Sequence, residues 1–248
     1  MPGASQSIAQ VRDSVCAIMR IIKRTKHKGK KKPPQIEFQL AFVGTAWCFS
    51  ADRHLVTAHH ILNNAKPRDP NDLFYAFTVP ANGLVAYSFQ VVGFPFEDMS
   101  NDLAILEIWP PAATDQHIPA VPVTFCRPPD GTAVITYGFP SPTILEANLA
   151  PDGRFLGGGN FFLKGHANEG IVSAQYDLGG VWHFEFNVSW HHGESGGPVF
   201  QQEPLASFAI MQIYRNIQTP HGIVSGPHIG RGLETIQQQL VALGASVV

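Results

Sequence analysis

Three short segments of the chain carry a nucleophile, a base and an acid, and the first surrounds a serine with glycines. In the segment GESGGP, Gly193, Gly196 and Gly197 flank Ser195. Glycine adopts backbone angles that other residues avoid, so the segment predicts a tight turn that presents the serine hydroxyl beside inward-pointing amides. We expect the N–H groups of Gly193 and Ser195 to form an oxyanion hole, which stabilises the charge that develops on a carbonyl oxygen under attack.

The other two segments offer a base and an acid. A serine hydroxyl is a weak nucleophile, so it needs a nearby base, and the base needs a carboxylate that fixes its tautomer. The segment LVTAHHIL leads from an apolar strand into His59 and His60, and chemistry alone leaves both histidines open as the base. The segment NDLAIL begins an apolar strand with Asp102, whereas Asp98 lies in a polar run with no apolar strand behind it. Asp102 is therefore the preferred acid.

The composition is typical of a compact, turn-rich globular protein. Of the 248 residues, 44% are hydrophobic and only 15% are charged, and the chain has 23 glycines and 20 prolines. This profile disfavours the disordered and coiled classes and favours many short strands. No stretch reaches the roughly 20 apolar residues that span a bilayer, and the amino-terminal sequence has no apolar region typical of a signal peptide.

The cysteines and histidines do not suggest a metal site. Cys16, Cys48 and Cys126 are an odd number of cysteines at wide spacing, so we expect neither a disulfide framework nor a CxxC site. This pattern predicts a reducing, cytoplasmic setting. Imidazoles are common metal ligands, but no HExxH helix or cysteine cluster supports a zinc site built from the histidines considered for it, which are His54, His59, His60, His191 and His192.

A basic run lies near the amino terminus. Residues 20–32 hold 8 of the 17 basic residues, whereas the chain from residue 33 onward has 8 basic and 18 acidic residues, a net charge of −10. The run ends in Pro33-Pro34, and we interpret it as a solvated hairpin loop. The alternative is that it binds nucleic acid, an acidic membrane or an acidic protein by charge. It has no aromatic residue to stack on bases, which disfavours nucleic acid.

Short apolar segments between turn signals predict an all-β chain. In the first half they fall at 15–22, 38–49, 53–57, 73–79, 84–94 and 103–109. In the second half they fall at 132–138, 143–149, 161–166, 170–176, 181–188, 198–201 and 205–214. The triple glycine at 157–159 is interpreted as a hairpin loop.

Repeated prolines between residues 109 and 122 indicate a linker, because proline interrupts strand pairing. The predicted domains are residues 1–118, which carry His60, Asp102 and the basic loop 20–32, and residues 119–248, which carry Ser195. Apolar residues at helical spacing before Gly244 predict a C-terminal helix over 233–243.

The three chemical motifs resemble those of the chymotrypsin-like serine proteases. GESGGP is similar to the family's nucleophile motif, LVTAHHIL to its Thr/Ser-Ala-x-His segment and NDLAIL to its Asp-Leu/Ile-Ala-Leu segment, and their order also matches. Residues 42–52 resemble the disulfide-poor, high-temperature-requirement branch of trypsin-like peptidases. The resemblance implies two six-stranded antiparallel β-barrels of the chymotrypsin type. It also assigns His60, aligned through Thr57-Ala58, as the base beside Asp102 and Ser195.

Several positions depart from the secreted relatives. Ile61 stands where they carry a cysteine, in agreement with the absence of a disulfide framework. Glu194 precedes the serine, but no Ile-Val-Gly-Gly cleavage site lies upstream, so we do not expect activation by a cut near the amino terminus. The resemblance suggests instead that a protein partner orders the oxyanion loop. No trailing PDZ-like domain is expected.

The resemblance also suggests where the specificity pocket lies. In the family, the residue six positions before the serine forms the base of this pocket, and here it is Ser189. Without a carboxylate at that position, we expect substrates with uncharged or apolar side chains. His191 and His192 flank the pocket entrance, and they are interpreted as solvated loop histidines, with contact to an acidic or polar substrate side chain as the alternative.

These features predict a serine endopeptidase that hydrolyses peptide bonds through an acyl-enzyme and needs no cofactor. Its expected partners are a protein or peptide substrate and an activating protein. The alternative is a catalytically silent, protease-like module that binds a partner through its cleft or its basic loop. An intact set of His60, Asp102 and Ser195 argues for the enzyme.

Overall fold

The computed structural model describes residues 4–26, 35–51, 53–64, 67–79, 85–109, 117–189, 191–220 and 222–248, with the backbone alone at 214–217, 219 and 223–225. Residues 27–32 of the predicted basic loop and residues 110–116 of the predicted linker lie outside this part of the chain. Within it, none of the helices combines the length and the apolar character that crossing a bilayer requires.

The described residues form mostly strands. The helices are α1 (Ala4–Arg12) and α2 (Gln237–Ala242), with 3₁₀ helices at His59–Asn63 and Leu233–Ile236. The strands of the first half are β1 (Val15–Lys26), β2 (Gln35–Cys48), β3 (His54–Thr57), β4 (Phe74–Thr78), β5 (Tyr87–Asp98) and β6 (Leu103–Trp109). Those of the second half are β7 (Ala133–Gly138), β8 (Thr143–Leu149), β9 (Phe155–Phe162), β10 (His166–Asp177), β11 (Trp182–Phe186), β12 (Pro198–Gln202), β13 (Leu205–Thr219) and β14 (Gly222–Gly232).

The strands close into two antiparallel barrels, which confirms the predicted fold class. The first barrel has the strand order β1-β2-β3-β6-β5-β4, and the second has the order β10-β11-β14-β13-β12-β7. Closure pairs every strand on both sides, so neither barrel presents an open sheet edge. The domain bounds at residues 118 and 119 stay a prediction.

One apolar core joins the two barrels. Ile135, Phe200 and Ile210 of the second barrel are fully buried and pack within the same cluster as the first barrel's core. A smaller cluster, which includes Phe184 and Phe208, fills the interior of the second barrel. The two barrels therefore share one apolar core at their seam.

The residues of the basic run do not form one solvated loop. β1 continues through Lys26, so Lys23 and Arg24 lie on an exposed strand end paired with β2. Arg20 is fully buried. Its guanidinium binds the carboxylate of Asp72, with Nε at 3.1 Å, and also donates to the carbonyls of Leu62, Asn64 and Pro67. The strand predicted at 15–22 is present, and the loop prediction is wrong for residues 23–26, which extend it.

Three further elements differ from prediction. β8 and β9 form a separate two-stranded sheet outside the second barrel, and β9 contains the triple glycine that the sequence predicts as a loop. The second barrel instead uses β14, whose sequence GIVSGPHIGRG has no regular apolar alternation to reveal a strand. α1 precedes β1 and buries Val11, although its short and mostly polar sequence gives a weak helical signal.

The predicted C-terminal helix is confirmed. It begins as the 3₁₀ helix and continues as α2. Leu233, Ile236 and Leu240 are fully buried in the core that the first barrel shares, so the end of the chain packs back across the seam. Gly244 follows with φ of 90°, the left-handed conformation that glycine permits at the end of a helix.

Replacement of Asp72 by asparagine tests the buried ion pair. The side chains of Arg20 and Asp72 are 0% and 6% exposed, and removing one charge leaves the other uncompensated in the interior. We expect Asp72→Asn to lower the free energy of unfolding by about 3 kcal/mol, as measured by urea denaturation. Glu37→Gln, in the exposed Lys26–Glu37 pair, is the control and should leave the midpoint unchanged. Equal midpoints for both variants would contradict the expectation.

Candidate active site

A cleft of about 440 Å³ lies at the seam between the two barrels. The residues that line it come from both halves of the chain. They are Phe42, Val43, His60 and Asn64 from the first half and Ser141, His192, Gly193, Ser195, Gln212 and Ile213 from the second. Folding thus brings the predicted base and the predicted nucleophile, which are far apart in sequence, to one cavity.

His60 and Asp102 form a hydrogen-bonded pair at this cleft. His60 lies in the 3₁₀ helix after β3, and Asp102 lies in the turn between β5 and β6. Nδ1 of His60 is 2.8 Å from Oδ2 of Asp102, and the backbone N–H of His60 donates to Oδ1 at 2.7 Å. Asp102 has φ of 56°, a left-handed conformation that is strained for a residue with a side chain. Both carboxylate oxygens therefore fix the position of one histidine.

The neighbouring histidine has a different partner. The ring of His59 is 11% exposed, and its Nε2 lies 3.4 Å from Oε2 of Glu97. Glu97 also accepts a hydrogen bond from Arg68 at 2.8 Å. Asp98 accepts from the backbone and side chain of Asn101, so it caps the turn instead of binding a histidine. The geometry of the residues around the turn therefore favours His60 over His59 as the base and Asp102 over Asp98 as the acid.

Ser195 is 8% exposed at the base of the cleft. Its hydroxyl donates to the backbone carbonyl of Gln212 at 3.0 Å. Among the described residues it makes no hydrogen bond to His60. A rotation about χ1 would redirect the hydroxyl, and catalytic hydrogen bonds are often long or misaligned before substrate binds.

Two positions of this turn require glycine, because neighbouring segments approach the backbone so closely that a side chain would not fit. Gly193 has φ of 106°, and a Cβ there would lie 2.5 Å from the carbonyl oxygen of Phe139. Gly196 has φ of 86°, and a Cβ there would lie 2.2 Å from both the carbonyl oxygen of Thr45 and Oγ1 of Thr57. The predicted tight turn is thus packed directly against β2 and β3 of the first barrel.

Backbone hydrogen bonds orient the peptide groups of the turn. The carbonyl of His192 accepts from the N–H of Ser141 at 3.1 Å, and the N–H of Glu194 donates to the carbonyl of His191 at 3.2 Å. The N–H and C=O of a trans peptide point in opposite directions, so the N–H of Gly193 points away from Ser141. The oxyanion role of Gly193 and Ser195 stays a prediction.

Glu194 is 2% exposed and closes the same turn with its side chain. One carboxylate oxygen accepts from the backbone N–H of His191 at 2.7 Å, and the other accepts from Nδ2 of Asn168 at 3.2 Å. Burial raises the pKa of Glu194, and the hydrogen bond from His191 opposes this increase. The carboxylate thus has two donors from the chain itself.

Sequence reasoning missed two polar residues at the seam. Thr45 is fully buried and binds the turn that carries Ser195. Gln212 is 4% exposed, and its Nε2 donates to the carbonyls of Asn101 at 3.0 Å and Asp102 at 3.3 Å. For Gln212, the sequence offers one signal, which is a polar residue inside the apolar segment FAIMQIY. A polar residue in such a segment has many explanations besides a functional one.

The predicted specificity pocket is only partly described. Ser189 is exposed and does not line the cleft around Ser195, whereas His192 does. The pocket roles of both residues therefore stay predictions. Within the described part of the chain, the histidines and acids form no cluster of three or more that could hold a metal ion.

Comparisons with known proteins bear on the family and the fold of the chain. A family model described as a trypsin-like peptidase domain matches residues 44–204. A comparison with curated proteins gives no match. The solved structure "HtrA-type protease AlgW with decapeptide" is similar over 98% of this chain and 67% of that chain, with 16% identity and a TM-score of 0.63. The structure of Deg5 is similar over 98% and 95%, with 13% identity and a TM-score of 0.61. Similarity at these identities indicates a shared fold.

Replacement of Glu194 by glutamine tests its protonation. Because burial raises the pKa of Glu194 above its ordinary value of 4.5, the folded chain retains this proton to a higher pH than the unfolded chain does. The contribution of the group to stability is therefore largest below pH 4.5 and falls as the pH rises toward the raised pKa. We expect urea denaturation to show that the free energy of unfolding of the wild type, relative to Glu194→Gln, decreases over this range. A difference that stays constant or increases with pH would contradict the assignment.

Proposed function

The chain belongs to the family of trypsin-like peptidase domains, and we propose that it is a serine endopeptidase that works through an acyl-enzyme. The observation that carries this proposal is the hydrogen-bonded pair of His60 and Asp102 in one cleft with Ser195. The order of these residues along the chain and the Gly-rich turn support the same reaction class.

The proposed reaction begins when the Ser195 hydroxyl turns from the carbonyl of Gln212 toward His60. Oγ forms a bond to the carbonyl carbon of the substrate while its proton moves to Nε2 of His60. Asp102 holds the imidazole and stabilises its charged form. The N–H groups of Gly193 and Ser195 bind the oxyanion. His60 then gives the proton to the leaving amine, the C–N bond breaks, and water releases the acyl group by the same steps.

A peptide is the proposed substrate. The cleft is open at the seam and has both apolar and polar walls, such as Phe42, Ile213 and Asn64, which suits an extended chain with mixed side chains. The AlgW structure is described as carrying a decapeptide, which supports a peptide ligand for this fold. We propose a preference for uncharged or apolar side chains, because the described residues that line the cleft include no aspartate, glutamate, lysine or arginine.

We further propose that a protein partner controls the oxyanion loop and that cleavage near the amino terminus does not. Hydrogen bonds from His191 and Asn168 already satisfy the carboxylate of Glu194, so a newly exposed amino group is not required as its partner. If this is correct, full-length chain, verified by mass spectrometry, reacts with a fluorophosphonate probe without processing. A probe reaction seen only after a cut would contradict the proposal.

A reducing, cytoplasmic compartment is the proposed setting. Cys16 and Cys48 are buried and Cys126 is exposed, and none of the three forms a disulfide within the described part of the chain. Burial raises the pKa of the Cys16 thiol, which protects it from reaction.

The alternative function is a silent, protease-like binding module. One observation favours it: the Ser195 hydroxyl donates its hydrogen bond to the backbone carbonyl of Gln212 and not to His60. Chemical reactivity of the serine separates the two functions.

Ser195→Ala tests the nucleophile. We expect a fluorophosphonate probe to label the wild-type chain and not the variant, because the reagent forms a covalent bond with an activated serine oxygen. In-gel fluorescence measures the label, and heat-denatured wild type controls for nonspecific reaction. Equal labelling of both chains, or no labelling of the wild type, would support the silent module.

Separate alanine variants of the two histidines test the base. We expect His60→Ala to lower the labelling rate by about 10⁴-fold or more, since the serine loses its proton acceptor. His59→Ala removes only the contact with Glu97, so its loss should be far smaller. Time courses of probe labelling measure both rates. A larger loss in His59→Ala would reverse the assignment.

A further inference from the structure

Thr45 connects the first barrel to the turn that carries the nucleophile. It lies on β2 and is fully buried, although it neither lines the cleft nor belongs to the triad. A buried hydroxyl needs hydrogen-bond partners, because leaving it unpaired costs free energy. The carbonyl of Thr45 accepts from the hydroxyl of Thr57 within the first barrel, but both partners of the Thr45 hydroxyl lie in the second half of the chain.

Three hydrogen bonds join Thr45 to this region. Its hydroxyl donates to the carbonyl of Gly193 at 2.7 Å and accepts from the backbone N–H of Phe139 at 3.2 Å. Its own backbone N–H donates to the carbonyl of Ser195 at 2.9 Å. One residue therefore holds the carbonyls of Gly193 and Ser195, whose N–H groups are assigned to the oxyanion hole.

Gly193 depends on such external support. It has no side chain to restrict it, and its φ of 106° belongs to a region that glycine enters and leaves readily. Three hydrogen bonds restrain the two peptide groups that flank it. In the peptide after Gly193, the N–H of Glu194 donates to the carbonyl of His191. Ser141 holds the carbonyl of His192 on one side, and the Thr45 hydroxyl holds the carbonyl of Gly193 on the other.

We propose that the hydroxyl of Thr45 is a positioning element for the oxyanion hole. This inference rests on the proposed peptidase function, and it adds a residue that acts through Gly193 without touching substrate. Loss of the hydroxyl removes the restraint on the Gly193 carbonyl and leaves the N–H of Phe139 without its partner. The peptide between Gly193 and Glu194 then keeps the hydrogen bond from the N–H of Glu194 to the carbonyl of His191 but loses its bond to Thr45. A shift of this peptide changes the backbone angles of Gly193 and so displaces the Gly193 N–H, in a site whose donors must meet the developing charge closely.

Three variants separate the hydroxyl from the shape of the side chain. Thr45→Val keeps the volume and removes the hydroxyl, whereas Thr45→Ser keeps the hydroxyl and removes a methyl group. Ser207→Ala is the matched control. Ser207 is also fully buried and donates to backbone carbonyls, those of Val199 on β12 and Ala209 on β13, but it does not line the cleft. If Thr45→Val does not fold, Thr45→Ala removes the same hydroxyl without adding a methyl group at the seam.

Two measurements on the full-length chain test the proposal. The first is the rate of labelling by a fluorophosphonate probe, whose transition state also places charge in the oxyanion hole. We expect Thr45→Val to lower this rate by about 10²-fold, and Thr45→Ser and Ser207→Ala to stay near the wild-type rate. The second is the ¹H–¹⁵N resonance of the Gly193 amide and its hydrogen exchange. We expect both to change in Thr45→Val and to remain as in wild type in Ser207→Ala.

The two measurements keep this inference separate from the proposed function. If the wild type is not labelled, the peptidase proposal fails, and the Gly193 amide alone decides whether Thr45 positions the loop. If thermal unfolding midpoints fall equally in Thr45→Val and Ser207→Ala while only Thr45→Val loses labelling, a general loss of stability is excluded as the cause. Wild-type labelling and an unchanged Gly193 amide in Thr45→Val would overturn the inference.

Discussion

The groups proposed for catalysis come from two barrels, so the relative position of the barrels is the constraint on which the site depends. His60 and Asp102 belong to the first barrel, and Ser195 precedes β12 of the second. Apolar side chains such as Ile135 and Ile210 join the two in one core. Burial of apolar surface contributes about 25 cal/mol per Å², but it has no direction. Apolar packing therefore holds the barrels together without fixing the alignment of the three groups proposed for catalysis.

Hydrogen bonds across the seam supply the alignment. The N–H of Thr45 donates to the carbonyl of Ser195, and the side chain of Gln212 donates to the carbonyls of Asn101 and Asp102. Thr45, on the first barrel, thus binds the turn that carries Ser195. Gln212, on the second barrel, binds the turn that carries Asp102. A buried polar group that loses its partner costs about 1–3 kcal/mol, so small displacements of either barrel are opposed. The left-handed backbone of Asp102 is held in this way.

The local apolar patterns of the sequence were sufficient for the all-β class. The two six-stranded barrels and the candidate triad came from the resemblance of its motifs to a known family, and the triad stays a prediction. Alternating apolar segments predict strands, and the motifs around His60, Asp102 and Ser195 each occupy a few consecutive residues. The sequence was insufficient for contacts between distant segments. In the sequence, Arg20 belongs to a basic run that predicts exposure. In the fold, Asp72 and several carbonyls lie beside its guanidinium and compensate its charge in the interior. Thr45 and Gln212 gave no distinct signal, since their partners are distant in sequence.

Two strands differ from prediction for the same reason: β8 lies outside the second barrel, and β14 lies within it. The segment 143–149 has the apolar pattern of a barrel strand, but it pairs with β9 in a separate sheet that packs on the first barrel. β14 lacks that pattern and enters the second barrel because β11 and β13 pair with its backbone on both sides. Strand pairing uses backbone groups that every residue except proline possesses, so apolar pattern indicates burial more directly than it indicates pairing.

The resting position of Ser195 bears on how such a site is controlled. The serine is almost fully buried, so its hydroxyl needs an acceptor when no substrate is present, and the carbonyl of Gln212 provides one. A neutral hydrogen bond of this kind contributes only about 1 kcal/mol, so exchanging it for one to His60 is a small step compared with the barrier to peptide hydrolysis. The pair of His60 and Asp102 is already formed. The proposed control by a partner therefore acts at the turn of Gly193 and Glu194, because a change in that turn would alter the proposed oxyanion hole.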